Sequence, residues 1–184
     1  LNILGSYAVA AFTAGSKIES IFTQAFVAIG TAMSTYNAQN IGARKLDRVR
    51  KGFRSADVIG CTYGVLVGFI LFFVGKYFAY LFISDNAEVV IPMVETYLQC
   101  VGMFMIPLYV VNSYRNGFQG MGYGLLPMLS GVAELVGRGI MAIVASNKKS
   151  YTMACMASPF AWIVATVLLI GLYFYVMKDM KKKL

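Results

Sequence analysis

Residues 56–82 read ADVIGCTYGVLVGFILFFVGKYFAYLF, and from Val58 to Gly75 they hold no charged side chain. An α-helix rises about 1.5 Å per residue, so roughly 20 mostly apolar residues cross the hydrocarbon layer of a bilayer. This stretch is long enough to do so by itself. Within it Gly60, Gly64 and Gly68 recur at every fourth position. They share one helix face and predict a close approach to another helix, in this chain or another.

Working outward, four further segments have the length and apolarity of spans. One runs from about Thr13 to Asn37 and is the most polar, with Lys17, Glu19, Ser20, Thr23, Gln24, Thr31, Ser34 and Thr35. Such a helix should face protein or a water-filled cavity rather than lipid on all sides. Another runs from about Val89 to Tyr114, with Pro92 in its first turn and Pro107 inside, where a proline removes a backbone bond and predicts a kink. Ser84–Glu88 is a polar link before it, where Asp or Asn can cap the helix. Arg115–Gly124 is glycine-rich and reads as a turn, since it lacks phosphate-loop spacing. The last two segments are about Leu125–Ser146 and Tyr151–Met177. The expected fold is an all-α polytopic membrane helix bundle of about five spanning helices, forming one membrane domain over 1–184. The composition agrees: 59% of residues are hydrophobic and 13% charged, against about 25% charged in soluble domains.

The net charge is +8, and eleven of the sixteen basic residues fall in loop 38–54, link 115–124 and the tail 178–184. These segments share one side of a five-span topology, so the positive-inside bias puts the C-terminus in the cytoplasm and Leu1 outside. Because the charge sits beside apolar runs, a lipid bilayer rather than nucleic acid is the partner. The chain opens without an initiator Met or a signal peptide and reads like part of something longer. With no histidine, His-based catalysis and zinc chemistry lose their usual groups. Cys61, Cys100 and Cys155 lack metal-site spacing and read as free, packed or lipid-facing thiols. No nucleophile–base pair, cofactor motif or metal site emerges, and an enzyme is not expected.

The candidate functional residues are polar groups inside spans. Glu134 and Arg138 are four residues apart on one helix face, deep enough to be paired or water-lined. They read as a structural ion pair or as a cavity or gating contact. Glu19 and Lys17, at the outer end of the first span, either snorkel to the interface or contact cations. Asp57 is expected to pair with Arg54, three residues earlier, and Glu95 to reach water. Gln24, Asn37, Gln39 and Asn40 line a path or bond other helices.

Several stretches together resemble the multidrug and toxic compound extrusion (MATE) family. They are Leu4-Gly-Ser-Tyr-Ala-Val-Ala-Ala-Phe-Thr13, Lys17-Ile-Glu19 and Tyr36-Asn-Ala-Gln-Asn-Ile-Gly-Ala43 leading into Asp47-Arg48-Val49. Gln119-Gly-Met-Gly122 and Glu134-Leu-Val-Gly-Arg138 complete the set. The resemblance covers essentially the whole chain, as the end of the family's seventh helix through its twelfth. It implies one lobe of a two-lobe, inverted V-shaped transporter that exports organic cations in exchange for H⁺ or Na⁺. The partner implied is the N-terminal lobe, and the substrates are small organic cations. Some members carry an acid in the inner half of their tenth helix, but Val101–Tyr114 holds none. The ion site is therefore expected in the other lobe. A lipid-linked precursor flippase of related architecture and a non-transporting fragment remain alternatives.

Overall fold

The computed structural model describes residues 4–83 and 86–183. The expected acidic link at Asp85 and the expected end of a preceding helix at Leu1–Ile3 fall outside them. Among the described residues there is no strand. Helix α1 is Ser6–Gly42, α2 is Leu46–Phe69, and a π-helical turn at Ile70–Val74 carries α2 into α3, Gly75–Ala79. Then follow α4, Ala87–Gly102; α5, Met105–Gly120; α6, Leu125–Lys148; α7, Tyr151–Cys155; and α8, Ala157–Lys183.

Three segments are long and apolar enough to cross a membrane: Leu46–Ala79, Leu125–Lys148 and Tyr151–Lys183. Counted as one broken span, the bent pair α4–α5 brings the number to four. At 37 residues α1 is long enough, about 55 Å, but its polar residues keep it from qualifying by composition. It is nevertheless the central helix, with α5, α4 and α2 packed on it. Helices α6 and α8 pair, and α8 joins them to α5.

Apolar lipid tails give helices little hydrophobic reason to associate, so close packing must do it. The glycines of α2 answer that need inside this chain. A Cβ at Gly60 would lie 2.0 Å from the Tyr109 ring, and one at Gly68 would lie 2.7 Å from the Gly102 carbonyl oxygen. Gly60, Gly64 and Gly68 thus seat α2 on α5 and on the end of α4. Between the helices Phe26, Phe53, Tyr109 and Phe118 are fully buried, and Phe53 packs on Tyr114 and Tyr173.

The expected proline kink comes as a break. Helices α4 and α5 meet at 54°, with Met103 and Phe104 between them. Pro107 cannot donate to the carbonyl four residues back, and its ring crowds that group. It therefore sits in the first turn of α5 rather than in mid-helix. Its own carbonyl accepts a 3.1 Å bond from Thr166 Oγ1 of α8. The π turn lies beside the break, where a Cβ on Gly102 would be 3.3 Å from Leu71 Cβ.

Two sequence expectations shift here. Residues 115–120 are not a link but the last turns of α5, and only 121–124 turn the chain. Their glycines serve contact: a Cβ on Gly117 would meet the Phe53 ring at 2.6 Å, and one on Gly120 the Ser34 carbonyl oxygen at 2.0 Å. Asn86 does not cap α4 with its side chain; it holds a left-handed backbone instead, φ 53°, a conformation Asn tolerates better than most residues.

Candidate functional site

Along α1 the exposed residues Thr13, Lys17, Ser20, Gln24, Thr31, Thr35 and Gln39 follow helical spacing, with exposed Ala28 filling the gap. They form one stripe from end to end. The other long helices expose the reverse chemistry. Helix α2 shows Val58, Ile59, Val65, Leu66 and Phe69, and α6 shows Met128, Leu129, Val132, Leu135 and Ile140. Those faces suit lipid.

The hydroxyls of the α1 stripe are cheap to place in an apolar medium. Thr13, Thr31 and Thr35 donate to carbonyls four residues back, and Ser20 to one three back. Such back-bonding satisfies the donor within the helix. Gln24, near the middle of α1, has no side-chain hydrogen bond among the described residues. An amide left unpaired in hydrocarbon costs about 4–8 kcal/mol. Gln24, with Lys17 and Gln39 on the same exposed face, is therefore poorly suited to lipid.

Beside this stripe runs a line of alternating charge. Arg115 of α5 puts Nη2 at 2.7 Å from Glu134 Oε1 and donates through Nε to Ser130 Oγ at 2.9 Å. Arg138 Nη2 lies 3.7 Å from the other Glu134 oxygen. The expected Glu134–Arg138 pair is present, but the tighter partner is Arg115, which lies not in a turn but in the last turns of α5. Arg138 is half exposed and reaches a cleft of about 480 Å³, lined also by Phe12 of α1 and Ala145, Ser146 and Ser158.

Glu19 completes the line. Helix α1 starts seven residues before the expected span, so Glu19 sits about 20 Å along it rather than at its outer end. Its Oε2 accepts a 2.5 Å bond from the Tyr97 hydroxyl of α4, and Arg138 is within electrostatic reach. Arg115, Glu134, Arg138 and Glu19 thus alternate in sign and sum to zero, which allows four charges inside a bundle. Lys17 faces outward beside Phe82, Ile83 and Val90. Glu95 meets Lys76 at 3.9 Å.

Asn37 is fully buried and donates from Nδ2 to the Gly117 carbonyl at 3.2 Å, tying α1 to α5. Asn40 Nδ2 donates to the Tyr36 carbonyl at 2.8 Å. Both act between or within helices, while Gln39 stays on the exposed face. Of the candidate residues, the structure brings Glu134, Arg138 and Glu19 together, places Gln24 and Gln39 on one stripe, and seals Asn37 away.

Asp57 departs from expectation. Among the described residues its carboxylate has no cationic partner within 4 Å, and Arg54 is exposed instead. Tyr109 donates to Oδ1 at 3.1 Å and Tyr114 to Oδ2 at 3.0 Å; the Tyr109 hydroxyl also lies 3.2 Å from Ser113 Oγ. Three residues on a helix bring two side chains near each other, but here Asp57 turns inward to α5 while Arg54 turns out. The tyrosines lie more than fifty positions away, and no local spacing marks them. The cysteines are as expected: Cys100 and Cys155 are buried and all three are free.

Two comparisons bear on this arrangement. Residues 1–144 match the family model MatE. Over 129 residues the chain is 30% identical to the "Probable multidrug resistance protein YpnP" of Bacillus subtilis (strain 168). That match covers 70% of this chain and 28% of the relative. The chain spans less than a third of that relative's length. With the apolar helices, the family match describes a multi-pass membrane protein.

Proposed function

Because this chain belongs to the MatE family, we propose that it is one lobe of a multidrug efflux antiporter, with the polar face of α1 lining the aqueous path between it and a partner lobe. The observation that carries this is the exposed Gln24, without a side-chain hydrogen bond among the described residues, at the middle of a stripe of polar residues on the central helix. Where neighbouring helices turn mainly Val, Leu, Ile and Phe outward, α1 turns out amides and hydroxyls along this stripe, with Ile21 and Val27 exposed beside it. A membrane protein tolerates such a face where it meets water or another polar surface.

In this reading the path takes small organic cations and exchanges them for H⁺ or Na⁺. Glu19 offers a carboxylate near it, with Tyr97 holding one oxygen. Arg115 and Arg138 hold Glu134 between them, so Glu134 fixes α6 against α5 and leaves Arg138 reaching the cleft. The basic end, with Arg44, Lys45 and Lys181, faces the cytoplasm. The relative's name, a probable multidrug resistance protein, supports export of drug-like compounds.

The test is efflux of a fluorescent organic cation from transporter-deficient bacteria expressing the complete reading frame that contains this chain. Wild type should export the dye. Gln24→Leu and Glu19→Gln should insert to the same level and export less. Unchanged export in both variants would remove α1 from the path.

A further inference from the structure

At the basic end of the bundle, the turn between α1 and α2 meets the last turns of α8. Between them lies a concavity of about 470 Å³, lined by Arg44, Lys45, Asp47, Arg48, Arg50 and Lys181. We propose that this cleft is a binding site for the phosphate-bearing headgroup of an anionic phospholipid.

Charge argues for an anion. Five cations line the cleft against one acid, and that acid is already engaged, with Asp47 Oδ1 at 3.8 Å from Arg50 Nη1. Among the described residues Arg44, Lys45, Arg48 and Lys181 have no acidic partner within 4 Å. Their neighbour Lys183 on α8, by contrast, is taken by Asp179 at 2.6 Å. Four cations without an acidic partner among the described residues repel each other around one hollow, and a bound anion relieves that repulsion.

Position argues for a lipid. The cleft sits where α1 ends, where α2 begins and where α8 runs out of its apolar segment, which is the headgroup level of a spanning bundle. Just inside it Val49 and Phe53 are buried and turn the apolar side of α2 into the bundle. A headgroup held there keeps its acyl chains alongside the outward faces of α2 and α8, where Val58, Phe174 and Tyr175 are exposed. The cations come from segments more than 130 residues apart in sequence, Arg44–Arg50 and Lys181. One headgroup therefore ties the first turn of the chain to its tail. This inference needs only that the bundle lies in a membrane and is independent of transport.

Native mass spectrometry of the purified chain in detergent, titrated with phosphatidylglycerol, phosphatidylcholine or inorganic phosphate, tests it. Wild type should bind phosphatidylglycerol at least tenfold more tightly than phosphatidylcholine. Each cleft cation removed should weaken that about fivefold. The variant K45Q/R48Q/K181Q should then lose more than tenfold, while K51Q/K178Q/K182Q, with the same loss of charge at the same end but outside the cleft, should lose much less. Thiol-dye protection of Cys155 in both variants reports whether the bundle is intact, and the single variant Lys181→Gln serves if the triple one unfolds. Equal losses in the two triple variants, no loss in the first, or equal binding of inorganic phosphate would each overturn the proposal.

Discussion

Replacing Glu134 by Leu should be among the most damaging single changes in the bundle. Its side chain is 15% exposed and lies between Arg115 at 2.7 Å and Arg138 at 3.7 Å. Removing it leaves two like charges with no anion between them; stripping one partner from a buried pair costs about 3–5 kcal/mol, toward the lower end here because Arg115 and Arg138 are 31% and 51% exposed. Arg115→Met should cost less, about 1–3 kcal/mol, because Glu134 keeps Arg138 while losing its shorter bond. The double variant R115M/E134L replaces the tighter pair with apolar groups, a swap that is often nearly neutral, and leaves only the half-exposed Arg138 without its anion. It should therefore be markedly more stable than the sum of the single losses, which is the signature of a coupled pair. Unfolding by detergent titration, read through a thiol-reactive dye at buried Cys100 and Cys155, gives all four corners of the cycle. If the two single losses simply add, or if each is below about 0.5 kcal/mol, the pair does not hold α5 to α6.

Gly120→Ala should cost at least about 1–3 kcal/mol, as overpacking does, because the new Cβ meets the Ser34 backbone oxygen; Gly139→Ala, with open space around it, should be neutral or slightly stabilising in the same unfolding titration. Tyr109→Phe and Tyr114→Phe should each lower stability by about 1.5 kcal/mol, the scale of a hydrogen bond to a charged group, while Arg54→Gln should change it by less than about 0.5 kcal/mol; the reverse order would restore the Arg54–Asp57 pair. At the tail, bonds from Lys183 and Tyr123 hold the Asp179 carboxyl below the usual carboxylate range. Their contribution is fully present above the ordinary aspartate value of about 3.9 and is lost as pH falls through the lowered one, so amide exchange over 178–183 should quicken there, and Asp179→Asn should abolish that dependence. Burial, together with the Asp179 contact, pushes Tyr123 up to about 12; its tyrosinate absorbance should appear correspondingly late and move down in Asp179→Asn.

Much of the fold was legible because membrane spanning is written in local runs. The apolar stretch at 56–82 and the last two spans appear as Leu46–Ala79, α6 and α7–α8. What escaped were ends and partners. Glycines look like turn residues in sequence, and only the approach of Ser34 and Phe53 shows why Gly117 and Gly120 stay helical. Pro107 marked a kink correctly but not its place, since the break falls at the carbonyl its ring displaces. The Glu134–Arg138 spacing was visible, whereas Arg115 and the tyrosines around Asp57 come from other helices and leave no periodic trace. The polarity of α1 was plain from the start. That its polar residues gather on one outward stripe was present in their spacing, at 13, 17, 20, 24, 31 and 35, and the burial of the opposite face shows which way they point.

The most direct test of that outward stripe is cysteine accessibility in a background with Cys61, Cys100 and Cys155 replaced. Single cysteines at Ser20, Gln24 and Thr31 would be compared with cysteines at Val58, Leu66 and Leu135, which are exposed on apolar faces. In membranes, a water-soluble thiol reagent should label the α1 positions and spare the others. Equal protection of both sets would place the α1 face against lipid or protein and contradict an aqueous path along it.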